Sequence, residues 1–284
     1  MIGSDAILTL HEVGKNFAGL HVIDDLTFSV RRGSRTALIG PNGAGKSTVF
    51  NLISGVHAID TGCILLDGVD VSRIPSRGRI HHGVARNFQN IRLMPHLSAL
   101  ENVLVGQHCR NSGWRGVLQP VNLIPRNRWR EEARGALAEA GLARYERATV
   151  GSLPYGVQKR IELVRALVAK PRLLLLDEPA AGLNPAETDA LRQHLTAICG
   201  EGRITLLVVE HDMHFVDALC DRVVVLNFGR KIAEGTPDEI RADALVREAY
   251  LGAEPEPAEA REDRAQNPAP HQAAKLEVVQ RHGS

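Results

Sequence analysis

The chain has 284 residues, of which 44% are apolar and 24% charged, with a formal net charge of +1. This is the balance of an ordinary soluble globular protein, and the length suits one large domain carrying a smaller lobe. Near-neutral charge and an aromatic content of only 4% argue against a nucleic-acid surface, which needs a basic footprint or stacking rings.

The first 35 residues alternate apolar and polar positions (AILTLHEV, then VIDDLTFSV), as strands with one exposed face do. RTALIG (35–40) is a short apolar run ending in glycine, and a helical pattern follows from about Lys46 to Ser54. Residues 106–130 hold both tryptophans, two prolines, five arginines and no acid; they read as a solvated surface lobe or as a basic insertion facing a partner or membrane surface. EEARGALAEAGL (131–142) and 157–169 are helix-like. In the second of these, Val157, Ile161, Val164 and Val168 recur at helical spacing, with Lys159, Arg160, Glu162 and Arg165 between them. LLLL (173–176) and ITLLVV (204–209) are continuous apolar runs, expected of buried parallel strands. RVVVLNFGRKIAEG (222–235) reads as a strand pair around a turn at Asn227-Phe228-Gly229. The alternation predicts an α/β fold with a mainly parallel sheet. No internal repeat is visible, so a single unit over residues 1–252 is expected. Residues 253–284 carry four of the 14 prolines and few large apolar side chains, so that tail is expected to be disordered.

No apolar run approaches the ~18 residues needed to span a bilayer, and MIGSDAILTL lacks the features of a signal peptide. The four cysteines, Cys63, Cys109, Cys199 and Cys220, have no CxxC spacing, so neither a zinc site nor a redox pair is expected, and scattered thiols suit a reducing compartment. A cytosolic protein follows, one that other chains must hold if it works at a membrane.

GPNGAGKST (40–48) satisfies G-x-x-x-x-G-K-[ST] in full, after a strand and before a helix. Gly40, Gly43 and Gly45 permit the torsions that turn successive N–H groups of Asn42–Thr48 toward phosphate oxygens, and the helix N-terminus adds its own. Pro41 itself, lacking an N–H, shapes the loop with Asn42 and Ala44. Lys46 supplies a charge to the β- and γ-phosphates and Ser47 a hydroxyl to Mg²⁺. LLLLDEP (173–179) ends a buried strand with Asp177 and Glu178. Asp177 is the natural Mg²⁺ ligand, and Glu178 stands where a carboxylate could orient and deprotonate an attacking water. There is no NKxD guanine motif in the chain, which argues against a GTPase.

With these residues in order, residues 6–252 resemble the ATP-binding cassette (ABC) ATPases. GPNGAGKST looks like the Walker A loop and LLLLDEP the Walker B strand; Gln89 in RNFQN falls at the Q-loop glutamine, AGLN (181–184) at the D-loop, and His211 in VVEHDM at the H-loop histidine. Phe17 matches the aromatic position that stacks on adenine, and SLPYGVQ (152–158) the signature loop. The resemblance implies a cassette with a mainly parallel core sheet, an antiparallel β subdomain and a helical subdomain at about 92–160, containing the insertion 106–130. It implies two cassettes packed head to tail, so that Gly156 and the helix after it touch an ATP held by the partner. Gln89 would touch the Mg²⁺ and water cluster, and His211 would hold the γ-phosphate.

LPYGVQKRIELVRAL, DEPAAGLNPAET, VVEHDMHFV and EGTPDEIRADALVREAYLG further resemble the LivG-type ATPases of branched-chain amino-acid importers. That implies a second ATPase chain (a heterodimer, or a homodimer), membrane permeases, an extracytoplasmic substrate-binding protein acting indirectly, and a place on the cytoplasmic face of the membrane. Urea-importer and lipopolysaccharide-export ATPases are similar. A soluble ABC ATPase acting on nucleic acid or ribosomes is the reading from another class; the single cassette, the absence of sustained heptads and the neutral charge disfavour it. Two positions depart from the pattern: Pro154 stands for the signature serine and Asn184 for the D-loop aspartate. Proline removes a hydroxyl and an N–H, whereas asparagine keeps an acceptor and gains a donor.

Overall fold

The computed structural model of the protein describes residues 5–87, 91–108, 126–200, 202 and 204–251. Two long strands open the chain, β1 (Ala6–Phe17) and β2 (Leu20–Arg31), paired antiparallel. β3 (Arg35–Ile39) leads into helix α1 (Lys46–Ile53). β4 (Thr61–Leu66) and β5 (Val69–Asp70) return to β1, giving an antiparallel sheet in the order β2-β1-β4-β5. A short helix, α2 (Ser76–Arg79), precedes β6 (Val84–Asn87). Three helices follow: α3 (Ala99–His108), α4 (Arg126–Glu139) and α5 (Tyr155–Leu167). Then come β7 (Leu173–Asp177), α6 (Pro185–Cys199), β8 (Thr205–Val209) and α7 (Met213–Leu219). The hairpin β9 (Arg222–Asn227) and β10 (Arg230–Gly235), with helices α8 (Pro237–Ala242) and α9 (Ala244–Leu251), completes the described chain.

The second sheet has the order β10-β9-β3-β8-β7-β6 and is parallel except for β10. The leucines of β7 and the apolar run of β8 are buried throughout, as strands covered on both faces must be. One core lies between this sheet and the antiparallel one, around Phe28, Phe50 and Leu207. A second lies on the other face, around Leu174, Leu195 and Phe215. The helical lobe has its own core, built from Leu100, Val103, Leu137, Ile161 and Val164. The lobe reaches beyond residue 160, because α5 continues to Leu167 and contributes Leu163 to the sheet core. The β9–β10 turn has positive φ at Phe228 (44°) and Gly229 (77°), the pattern of a type I′ hairpin.

The helix expected over 131–142 starts earlier, at Arg126, and stops at Glu139 ahead of Gly141, which has φ 67° and so closes the helix in the left-handed region. The centre of the basic stretch, residues 109–125, and the tail beyond Leu251 lie outside the described residues. Among the described residues no helix is long and apolar enough to cross a membrane.

The C-terminal end of α1 is satisfied in an unusual way. Arg79, 1% exposed, donates Nη1 to the carbonyls of Leu52 and Ile53 (2.6 Å each) and Nε to that of Ile74 (2.9 Å). A buried cation there meets both the orphan carbonyls and the negative end of the helix dipole. Burial pushes its pKa down to about 10, so the guanidinium stays charged at neutral pH. Arg79→Met should therefore destabilise the protein by about 2–4 kcal/mol in urea unfolding followed by circular dichroism, since several buried acceptors lose their donor. Arg79→Lys should recover part of that loss.

Candidate functional site

The C-terminal ends of β3, β7 and β8 reach the same edge of the parallel sheet, because Leu38 and Asp177 both pair with Val209. The loops that leave these ends carry the residues singled out by motif. At Gly40, Gly43 and Gly45 the backbone has φ of 153°, 82° and 100°. Gly40 also lies so close to the Leu226 carbonyl, and Gly45 to Val22 and Ile23, that a Cβ at either would collide. Both glycines are thus required by torsion and by neighbouring backbone. Gly45 is the N-cap of α1. The loop is braced from outside by hydrogen bonds from Gly229 N to the Ala44 carbonyl (3.0 Å) and from Asp24 N to the Gly229 carbonyl (3.1 Å).

Lys46 curls over this loop, with Nζ donating to the carbonyls of Gly40 (2.7 Å) and Pro41 (2.9 Å). Burial pushes its pKa down, while the carboxylates of Glu178 and Asp177 pull it back up, so both acids stand within electrostatic reach of the P-loop lysine. Ser47, Asn42 and Gly43 are exposed at the loop surface, and Thr48 is half-buried.

Asp177 ends β7 and is buried. Its Oδ2 accepts from Arg86 Nη2 at 2.8 Å, while Arg86 Nη1 donates to Asn51 Oδ1 (2.7 Å) and Ser54 Oγ (3.0 Å) of the P-loop helix segment. Arg86 sits on β6 immediately before the Q-loop segment. It joins three motif-bearing elements, and no motif pointed to it. Glu178 has φ 48°, the left-handed region for a residue that is neither glycine nor asparagine, a strain of about 1–3 kcal/mol of the kind concentrated at functional sites. Its N–H donates to the Val209 carbonyl at 2.9 Å.

His211 follows β8 with its imidazole largely exposed (69%), 3.8 Å from Glu210 Oε2 at Nδ1. Glu210 is 1% exposed and accepts hydrogen bonds from Ala180 N (2.9 Å) and His211 N (3.2 Å). Phe17 is placed at the β1–β2 turn, where its ring stands edge-on to His57, beyond the C-terminal end of α1, and below the Lys15 ammonium. Gln89 lies outside the described residues; nearby, Arg92 is gripped by α5: Glu162 Oε1 accepts its N–H (2.8 Å) and Arg165 Nη1 donates to its carbonyl (2.6 Å).

Pro154 is the N-cap of α5, with extended ψ of 149° and no side-chain capping bond. Gly156, in the first turn, is buried, and a side chain there would run into the Glu187 carboxylate. A side chain at this position would have to push the Glu187 carboxylate aside. Asn184 caps α6: its Oδ1 accepts Glu187 N (3.0 Å), and Glu187 Oε2 accepts Asn184 N (3.1 Å), a full capping box. The Asn184 departure costs the helix nothing, because only an acceptor is used. Lys159 and Glu162 do not form a solvated face of α5; both are buried, because α5 is enclosed by the sheet edge as well as by the helical lobe.

Tyr250 of α9 was also hidden in the sequence: burial raises its pKa, and the Gly40 amide facing its hydroxyl acts the other way. The oxygen donors at the sheet edge, the Ser47 hydroxyl and the Asp177 carboxylate, fit a hard divalent cation such as Mg²⁺, which takes one or two protein ligands and completes its shell with phosphate and water.

The chain matches the ABC transporter family over residues 23–181, and residues 230–256 match the family described as branched-chain amino acid ATP-binding cassette transporter. It is 39% identical over 252 residues to the high-affinity branched-chain amino acid transport ATP-binding protein BraF of Pseudomonas aeruginosa, covering 88% of this chain and 99% of that one. It is 36% identical to LivG of Escherichia coli, described in the same words, with the same coverage. Identity to the lipopolysaccharide export system ATP-binding protein LptB of Escherichia coli is 32%, covering 87% and 98%. Among solved structures, a nucleotide-free ATP-binding cassette from an ABC transporter is similar with a TM-score of 0.76 at 30% identity, covering 86% of this chain and 98% of that one. An ADP-bound cassette gives a TM-score of 0.77 at 29% identity, covering 87% and 99%. With the P-loop, the two acids and the histidine gathered at one sheet edge, the chain belongs to the ATP-hydrolysing, ATP-binding subunits of ABC transporters.

Proposed function

We propose that this chain energises the import of branched-chain or related amino acids, through membrane permeases and together with a second cassette. The observation that carries the substrate class is the match of residues 230–256 to the branched-chain amino acid family, in the segment whose Leu245 and Glu248 line one cavity with Pro41–Ala44 of the P-loop. The whole-length similarity to BraF and LivG supports it. The chain would work on the cytoplasmic face of the membrane, held there by its permeases.

In the mechanism we infer, ATP phosphates displace the Gly40 and Pro41 carbonyls from Lys46, whose ammonium then meets the β- and γ-phosphates while the loop amides hold their oxygens. Ser47 and Asp177 would hold Mg²⁺, with Gln89 joining them, and Asp177 is already steered by Arg86. Bound Mg²⁺ would offset charge on the β- and γ-phosphates. Glu178 orients and deprotonates the attacking water, His211 holds the γ-phosphate as charge develops, and Phe17 packs on the adenine. Gly156 and the first turn of α5 reach the ATP held by the partner cassette, through N–H groups at a helix N-terminus.

Glu178→Gln should keep ATP binding and lower turnover by about 10²–10⁴-fold, the range for loss of a general base; unchanged turnover would remove Glu178 from that role. Deleting the gene should abolish uptake of labelled leucine, isoleucine and valine, with rescue by the wild-type chain and not by Glu178→Gln. Intact uptake of these, with loss of urea uptake or of lipopolysaccharide export, would assign the chain to that task instead. Pro154 lacks the hydroxyl contact to phosphate, worth about 1.5–3 kcal/mol when made to a charged group. Pro154→Ser in the assembled transporter should therefore tighten ATP binding at the site whose Walker A belongs to the partner. Unchanged affinity and turnover at both sites would leave the proline as a helix start and nothing more.

A further inference from the structure

Lys159 lies one turn into α5 and is only 5% exposed. Its Nζ donates to three carbonyls of the segment after Walker B: Glu178 (3.2 Å), Pro179 (3.3 Å) and Ala181 (2.6 Å). An ammonium has three donors, and here each meets a backbone oxygen. Glu210, 1% exposed, accepts Ala180 N of the same turn on Oε1 and His211 N on Oε2. The turn 178–181 is therefore gripped by a buried cation on its carbonyls and a buried anion on its amide. Burying either charge is costly unless it is hydrogen-bonded, and neither is needed to fill space. What the pair does hold is a strained backbone, Glu178 at φ 48°. The first turn of α5 meets the chain just beyond this turn: Tyr155 closes on Gly182, and Gly156 abuts Glu187 at the start of α6.

We propose that Lys159 is a positioning residue for hydrolysis: with Glu210 it sets the direction of the Glu178 carboxylate and ties that base, His211 and the signature helix into one unit. The inference rests on the ATPase reading above and deepens it. In the two-cassette arrangement, the N-terminus of α5 meets the partner's ATP while Lys159, on the same helix, holds the base of its own chain. Seating of phosphate at one site then reaches Glu178 of the other through a single rigid turn of helix.

The test uses the full-length chain and three substitutions: Lys159→Met, which removes the ammonium and keeps the stem, Lys159→Arg and Glu210→Gln. ATP affinity, kcat and KM are measured beside hydrogen–deuterium exchange of residues 178–184 and 40–48. Lys159→Met should lower kcat by about tenfold or more with affinity and KM within about twofold, the pattern of a contact that serves the transition state. Its 178–184 amides should exchange at least about tenfold faster with 40–48 unchanged, as local opening of one unit requires. Lys159→Arg should restore most of kcat. Glu210→Gln should also lower kcat selectively, because its amide has one acceptor oxygen for two N–H groups. Wild-type kcat in Lys159→Met overturns the proposal. So does a loss of affinity and melting temperature in step with kcat that arginine does not rescue, which would make Lys159 a fold residue. If the wild-type chain itself turns over no ATP, the ATPase reading fails, while unchanged exchange at 178–184 in Lys159→Met would separately overturn the clamp.

Discussion

The in-register parallel pairing of β3, β8 and β7 is the constraint on which the site depends. Leu38 and Asp177 share Val209 as a neighbour, so the P-loop, the Walker B acids and the H-loop all leave the sheet at one edge. A slip of one residue in any of these strands would turn its apolar face the wrong way, and both faces of β7 and β8 are buried. Burial thus fixes register, and register brings Lys46, Glu178 and His211 to one end of the sheet, at the carboxyl ends of the strands, where open α/β sheets bind ligands.

Around that end of the sheet the chain uses buried charges to hold backbone. Arg79 caps α1 from behind, Arg86 pins Asp177 and reaches α1, and Lys159 and Glu210 grip the turn that carries Glu178. Loops cannot be fixed by apolar packing alone, because their amides and carbonyls need partners. Long charged side chains reach several at once. The result is a site whose loops are braced to helices and strands on every side, including α5, the helix that bears the signature.

The candidate loop and strand-end residues stand out in the sequence because their spacing is dictated locally. A phosphate loop needs glycines where φ is positive, a lysine and a hydroxyl within one helical turn, and Gly40 to Ser47 supply all of these in a row. Strands β1, β2, β3, β7, β8 and the β9–β10 hairpin were visible from period and turn residues. Lys159 and Glu162 were misleading for the opposite reason. A lone helix pattern assigns charged residues between apolar ones to solvent, but α5 is covered on two sides, so its charged side is interior as well. Arg86, Glu210 and Tyr250 carry no spacing signal at all. Gly156 was readable as part of a motif, yet the Glu187 carboxylate that it abuts lies across the fold.

The sequence by itself determined the nucleotide loop, the acids that end the Walker B strand and the alternation of strands and helices, since each follows from torsional freedom and from the period of burial along the chain. Only the tertiary structure decided which charged side chains hold which loop. Hydrogen bonds from Lys159 to Glu178 or from Arg86 to Asp177 join residues far apart in the chain, and nothing local encodes that meeting. It arises when the sheet sets its register and α5 comes to rest against the turn that carries Glu178.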